Sequence, residues 1–277
     1  MTPDQYCRDK AAASGSSFYY SFLFLPPERR RAITALYAFC REVDDVVDET
    51  LDPQLAATKL AWWRVEIANL YDGKPQHPVT RALQPFIEKF SLSRERLLEI
   101  IDGMEMDLTQ TRYLDWAGLE RYCYRVAGVV GLLAAGIFGY DDPRTLDYAK
   151  NLGIAFQLTN IIRDVGEDAR KNRIYLPMDD LKQFNVPASD ILNANESENF
   201  KRLLAFEAAR AKQFYEKAFQ SLAARDRRAQ RAGLIMAAIY RTLLDEIERD
   251  GFHVLKTRTS LTPLRKFWIA WKTYVTA

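Results

Sequence analysis

Two short segments carry residue types and spacings suited to metal-assisted phosphate chemistry. The first is Arg41-Glu-Val-Asp44-Asp45-Val-Val-Asp48-Glu49. At about 100° per residue of an α-helix, Tyr37, Arg41, Asp44 and Asp48 fall within about 60° of arc. One helical face then presents a phenol, a guanidinium and two carboxylates. Acids at i and i+4 repel by roughly 0.2–0.5 kcal/mol, and the C-terminal end of a helix disfavours negative charge. A bound divalent cation reverses both penalties. An isolated stripe of this kind is equally a solvated acidic helix end. The second segment repeats the pattern: Gln157, Asn160, Asp164 and Asp168 share a face, with Arg163 beside it and Arg170, Lys171 and Arg173 following. Two such stripes facing each other across a bundle could hold Mg²⁺ (or Mn²⁺) that bridges a diphosphate, while cations take the remaining oxygens. Such a site ionises a carbon–oxygen bond, and the resulting cation needs an apolar pocket that excludes water.

The composition narrows the alternatives. Only two histidines occur, His77 and His253, and neither has a His or Cys partner at metal-ligand spacing. Zinc hydrolysis and His-based triads are therefore excluded as leading readings, and oxygen ligands favour Mg²⁺ or Mn²⁺. The 39 Lys and Arg nearly balance 37 Asp and Glu, for a net charge of +2, which argues against a nucleic-acid partner. Cys7, Cys40 and Cys123 are odd in number and form no CxxC, as expected of reduced thiols. The N-terminus has no basic region followed by an apolar core, so no signal peptide is expected. The longest apolar run, Val126 to Tyr140, spans 15 residues with four glycines and is short for a membrane span. A cytoplasmic protein, peripheral at most on the inner face of the membrane, is the expectation.

The elements that must position these residues read as helices throughout. Gly (12) and Pro (11) are sparse among 277 residues, which favours long helices. Helices are predicted from Pro27 to about Glu49, from Pro53 to near Tyr71, from Pro78 to Phe90, and from a Ser93 cap to Thr109. Further helices are predicted over 115–138, from an Asp142-Pro143 start to about Asp168, over 200–223, and from Arg228 to Asp250 before Gly251. Residues 170–178 read as a basic loop. Residues 185–199 read as a polar connection, either a surface loop or a lid. No strand alternation and no boundary is evident, so the chain reads as one all-α domain over 1–277.

Within 115–138, Tyr122, Val126, Val129 and Leu133 would share a face, with a phenol heading an apolar wall. Gly128 and Gly131 each cost about 1 kcal/mol in a helix interior. Either space for an isoprenoid chain or close helix packing would compensate. The C-terminal segment mixes Lys256, Arg258, Arg265, Lys266 and Lys272 with Phe267, Trp268, Trp271 and Tyr274. It suits either an anionic membrane surface or a last helix packed on the bundle with a solvated basic face.

The segments Ser14–Tyr20, Leu36–Asp48, Tyr122–Gly131 and Gln157–Asp168, with Tyr240 ahead of Leu243-Leu244-Asp245, resemble the squalene/phytoene synthase family. Within that family, Ala13–Pro26 resembles the bacterial presqualene diphosphate synthases of squalene and hopanoid formation, although Ser14 and Gly15 depart from the usual residues. The resemblance implies a helical bundle of the isoprenoid-synthase type with a central apolar cavity. It implies Mg²⁺-dependent head-to-head condensation of two farnesyl diphosphates. Asp44, Asp48, Asp164 and Asp168, assisted by Asn160, would hold the metal. Arg41, Arg163, Arg173 and Tyr240 would bind diphosphate, and Ser17, Phe18, Val126, Val129 and Gln157 would meet the substrate. Tyr122 would steer the cation or its proton, and Tyr37 would help place the leaving group. The branch implies a product passed to downstream squalene-forming enzymes and no use of NADPH. Phytoene, squalene or dehydrosqualene synthesis on the same fold, and an inactive member acting as an assembly factor, are the alternatives.

Overall fold

The computed structural model describes residues 1–13, 18–50 and 52–276; Ser17, expected at the substrate, lies outside the described residues, as do Ser14 and Gly15. The chain is helical, with no strand among the described residues beyond a single parallel bridge between Arg112 and Ile174. The helices are α1 (Pro3–Ala13), α2 (Phe18–Phe22), α3 (Pro27–Glu49), α4 (Pro53–Tyr71), α5 (Pro78–Leu83), α6 (Arg94–Thr109) and α7 (Trp116–Cys123). They continue as α8 (Val129–Phe138), α9 (Arg144–Arg170), α10 (Met178–Gln183), α11 (Ala188–Leu192), α12 (Glu198–Ser221), α13 (Arg231–Arg249) and α14 (Pro263–Thr276).

Local chemistry accounts for most boundaries. Asp52 accepts from the Gln54 and Leu55 amides to start α4, and Ser93 accepts from the Arg96 amide to start α6. Asp142 Oδ1 accepts from the Arg144 amide at 3.0 Å at the start of α9. Gly251, at φ +72°, closes α13. The helix predicted to reach Phe90 stops earlier: α5 ends at Leu83 and a 3₁₀ turn follows over Gln84–Phe86. Pro85 has no amide hydrogen to continue the ladder. The polar stretch 185–199 is not irregular throughout. It contains α11, and Val186 and Ile191 are buried, which pins it to the bundle. The helices α1 and α2 were not legible in the sequence. α2 has a single turn, and α1 is held to α3 by Lys10, which pairs with Glu42 and Asp45 at 3.1 and 2.7 Å.

The stretch predicted as one helix over 115–138 is interrupted by a π turn at Tyr124–Gly128 between α7 and α8. The inserted residue rotates everything after it by about 100°. Tyr122 and Cys123 therefore pack in the core built around α9, α12 and α13, whereas Val129 and Leu133 pack in a second core built around α3, α4 and α6. The shared face expected of Tyr122, Val126, Val129 and Leu133 does not form. By length and composition Trp116–Phe138 could cross a membrane, but more than half of its most apolar window is buried inside the bundle.

The two cores meet along the π turn, α8 and α9, and close helix contact decides the role of the glycines. A Cβ on Gly131 would stand 2.2 Å from the Ala149 carbonyl oxygen, and one on Gly153 would stand 2.3 Å from that of Ala127. Both explanations meet at Gly131, which lines the apolar cavity between the cores and lies too close to the Ala149 carbonyl for a side chain. Gly131→Ala is expected to destabilise by about 3 kcal/mol and to lower the melting temperature by about 5–10 °C. A thermal melt within 2 °C of wild type would remove this packing constraint.

Candidate active site

Between the two cores lies an apolar cavity of about 180 Å³, lined by α2, α3, the π turn, α8, α9 and α13. Val126, Val130, Ala134 and Phe138 form one wall, with Leu36 and Phe156 on others. Val126 takes the predicted place, while Val129 is fully buried away from the cavity and Val130 faces it instead. The phase shift at the π turn explains the exchange.

The cavity opens toward a polar pocket lined by Arg41, Arg163, Tyr240, Arg258 and Lys266; both are bounded by Phe18, Tyr37 and Asn160. Gln157 lines the apolar side close to this junction. The junction is aromatic: the Phe18 ring centroid lies 5.4 Å from that of Tyr37, 6.2 Å from Tyr240 and 6.4 Å from Phe156. π faces next to a cationic pocket suit a substrate that separates into an allylic cation and an anion.

The two acidic stripes end close together. Asp48, at the end of α3, pairs with Arg173 at 3.1 Å and Lys171 at 3.3 Å, both just after α9. The loop carrying them is clamped onto the segment after α6: the Ile174 amide donates to the Thr111 carbonyl, the Met178 amide to that of Tyr113, and Arg112 to the Asn172 carbonyl at 2.6 Å. Arg41 pairs with Asp44 at 2.6 Å and Asp45 at 2.5 Å. Arg163 pairs with Asp164, which also accepts from Arg258 at 2.8 Å. Three of the four predicted metal-binding aspartates, Asp44, Asp48 and Asp164, are thus held by arginines predicted to hold diphosphate, and Asp168 makes no ion pair among the described residues. A metal and a diphosphate entering together would give both sets new partners.

The electrostatics record which carboxylates are undercompensated. Burial pushes Asp44 up to about 6, against the pull of Arg41 and with repulsion from Asp48 and Asp45. Burial, with repulsion from Asp164 and Asp107, pushes Asp168 up to about 7. Burial also acts to raise Asp164, but the Arg163 and Arg258 guanidiniums outweigh it and hold that carboxyl below its ordinary range. Among the described residues no three acidic or imidazole groups converge tightly enough to hold an ion unaided. Even so, the donor set fits a hard cation shared with a ligand: it consists of oxygens, and the buried Asn160 Oδ1 has no hydrogen-bond partner.

Asp107, on the last turn of α6, escaped the sequence reading. Its Oδ2 accepts from the Tyr122 hydroxyl at 2.9 Å and its Oδ1 from that of Tyr175 at 2.8 Å. Burial pushes its carboxyl up to about 6, with Tyr175, Arg173 and Tyr122 pulling against it. The rings of Tyr113, Tyr122 and Tyr175 pack against one another with centroids 5.2–5.9 Å apart. Burial and Asp107 drive the Tyr122 phenol far above its ordinary range, so it acts as a neutral dipole and not as a phenolate base. A lone Asp in a helix gives no spacing signal. Arg258 and Lys266 were visible only as part of a basic tail, and the fold places them at the polar pocket.

Comparison with known proteins agrees with this arrangement. The Squalene/phytoene synthase family profile matches residues 11–265. The phytoene synthase of Arthrospira platensis is 36% identical over 275 residues, covering 95% of this chain and 89% of its own. The 15-cis-phytoene synthase of Synechocystis sp. is 36% identical over 285 residues, covering 96% and 84%. Among solved structures, a dehydrosqualene synthase with bound ligand superposes with a TM-score of 0.86 at 28% identity, covering 99% of this chain and 96% of its own. The squalene synthase HpnC from Alicyclobacillus acidocaldarius gives 0.79 at 28%, covering 90% and 94%. With a profile match over nearly its whole length, on an all-α fold with paired acidic stripes over an apolar cavity, this chain belongs to the squalene/phytoene synthase family of head-to-head prenyltransferases.

Proposed function

We propose that this enzyme condenses two farnesyl diphosphates to presqualene diphosphate, releasing diphosphate and a proton, and goes no further. The observation that carries the reading is the junction of an apolar cavity with an arginine-rich pocket through an aromatic collar of Phe18, Tyr37, Phe156 and Tyr240. Asp44, Asp48, Asp164 and Asp168, with Asn160, would hold Mg²⁺ or Mn²⁺, which supplies Lewis-acid neutralisation of the leaving diphosphate. Arg41, Arg163, Arg173 and Arg258 bind and orient its remaining oxygens. The collar faces the allylic cation, and the aliphatic walls keep water from it. The acceptor double bond attacks that cation, and loss of a proton to the departing diphosphate closes the cyclopropane. Tyr122 lines neither pocket; its neutral phenol, held by Asp107, would act as a fixed dipole beside the acidic stripes that Asp107 also faces.

The length of the cavity supports the C15 reading. Asn160 stands at the collar and Tyr148, twelve residues earlier on α9, at the far end, a span of about 18 Å. Phe138 and Tyr148 close that end, with Phe22 along the wall. A second reading, synthesis of a phytoene-type product from C20 substrates, is favoured by the curated relatives, which are named phytoene synthases. Incubating the purified enzyme and Mg²⁺ with C15 or C20 diphosphates, with and without NADPH, separates the readings by mass spectrometry. Presqualene diphosphate from C15, indifferent to NADPH, is expected. Preferred use of the C20 substrate would establish the second reading, squalene formed only with NADPH would add a reductive step, and no turnover on either would leave an assembly role. Phe138→Ala is expected to raise use of the C20 substrate relative to C15 by about tenfold, because it opens the floor. An unchanged ratio would move chain-length control away from that ring.

A further inference from the structure

Helix α14 presents an apolar surface that the fold leaves uncovered. Leu264, Trp268, Trp271 and Val275 recur at i, i+4, i+7 and i+11, one helical stripe, and they are 84%, 58%, 46% and 62% exposed. Phe267 widens the stripe, and the Trp268 and Trp271 rings stack at 5.3 Å. The opposite face is already committed. Ala270 is fully buried, Tyr274 stacks on Phe24 at 4.6 Å, and Lys266 lies over Tyr20. The stripe therefore cannot turn inward without breaking these contacts. The exposed side of α14 carries this apolar and aromatic stripe with exposed Arg265 and Lys272 beside it.

The charge distribution says what covers it. Residues 251–277 contain Lys256, Arg258, Arg265, Lys266 and Lys272 and no acidic residue. The other 250 residues hold 34 Lys and Arg against 37 acids, so the net positive charge of the chain resides in this segment. Arg258 and Arg265 are paired with acids of the bundle, but exposed Lys256 and Lys272 have no acidic partner among the described residues. Amphipathic aromatic rings flanked by unpaired lysines are the combination that binds an interface with negative headgroups. The same segment borders the polar pocket through Arg258, Leu261 and Lys266. The docking surface is thus part of the same segment that borders the polar pocket.

We infer that α14 seats the enzyme on an anionic phospholipid bilayer, with Leu264, Trp268, Trp271 and Val275 in the headgroup boundary and Lys256 and Lys272 on the headgroups. Binding is read without substrate, so this inference and the choice of C15 product stand or fall separately. The full chain is floated with vesicles of phosphatidylcholine, with and without phosphatidylglycerol. Wild type is expected to bind the phosphatidylglycerol vesicles with a blue shift of tryptophan emission, and less so at high salt. Trp268→Ser with Trp271→Ser is expected to lower partitioning at least tenfold while turnover of detergent-dispersed substrate stays within about twofold. Lys256→Gln with Lys272→Gln, which leaves the apolar stripe intact, is expected to lower it about tenfold on anionic vesicles only. Equal partitioning of wild type and the tryptophan variant, or equal binding to both vesicle types, would overturn the inference. So would a concentration-dependent dimer that the tryptophan variant abolishes in a protein that ignores vesicles, since a second copy would then cover the stripe.

Discussion

Asp168→Asn is expected to lower turnover by about 10³-fold and, in chelator, to raise the melting temperature at pH 8. The first effect removes one oxygen ligand from a site that neutralises a departing diphosphate; a loss of about 4 kcal/mol in transition-state stabilisation corresponds to that factor. The second follows from the electrostatics of the metal-free fold. Asp168 has an ordinary carboxyl value of 3.8 when unfolded and about 7 when folded, because of burial and the repulsion of Asp164 and Asp107. A folded value above the unfolded one means that the unfolded chain gives up the proton more readily. Stability from the neutral carboxyl is present below about pH 4 and is lost as pH rises toward 7. Asn carries no such penalty, so the variant gains about 1–3 kcal/mol at pH 8, after allowance for partial exposure, and the gain shrinks toward pH 4. Melts at pH 8 and 5 in chelator, paired with a Mg²⁺-dependent product assay, read both effects. Asp44→Asn is expected to behave alike, with a smaller pH-dependent gain since its value is about 6. Wild-type turnover in either variant would take that carboxylate out of the mechanism.

Asp107→Asn is expected to lower kcat about 10²-fold with little change in KM or melting temperature. Both Asp107 oxygens accept from phenols, so the ionised carboxylate fixes two hydroxyls at once. An amide offers one acceptor and one donor, and one phenol must turn. The penalty of a buried charge disappears with the charge, which offsets the lost hydrogen bond in stability. The loss then falls on the orientation of Tyr122, a transition-state effect of the size seen when one preorganised dipole is lost. Asp107 is a positioning residue in this account. A double-mutant cycle with Tyr122→Phe tests it: the second substitution should cost little once the first is made. Additive losses would show that the carboxylate acts independently of the phenol, and a kcat near wild type would remove Asp107 altogether.

Within the bundle, legibility tracked periodicity. The faces of α3 and α9 were predictable because a regular helix converts sequence spacing into angle, and Asp44, Asp48, Asp164 and Asp168 lie where that conversion puts them. The conversion failed at Tyr124–Gly128, where a π turn adds a residue and moves Val130, not Val129, to the cavity. Pro85 ended α5 by chemistry that the sequence displays, yet the longer apolar pattern masked it.

Residue types and short spacings specify an all-helical chain, two acidic stripes with their arginines, and a C-terminal segment that is basic and aromatic. These are local properties, set by residue type and by distances of three and four along one helix. Tertiary structure decided which arginine faces which aspartate, that Arg173 reaches Asp48 across 125 residues, and that Asp107 joins Tyr122 to Tyr175. It also decided that Gly131 serves close helix packing and that the tryptophans of α14 face outward. Such contacts depend on how helices cross and on small phase shifts within them. No spacing along one segment encodes the partner that a different segment brings to it.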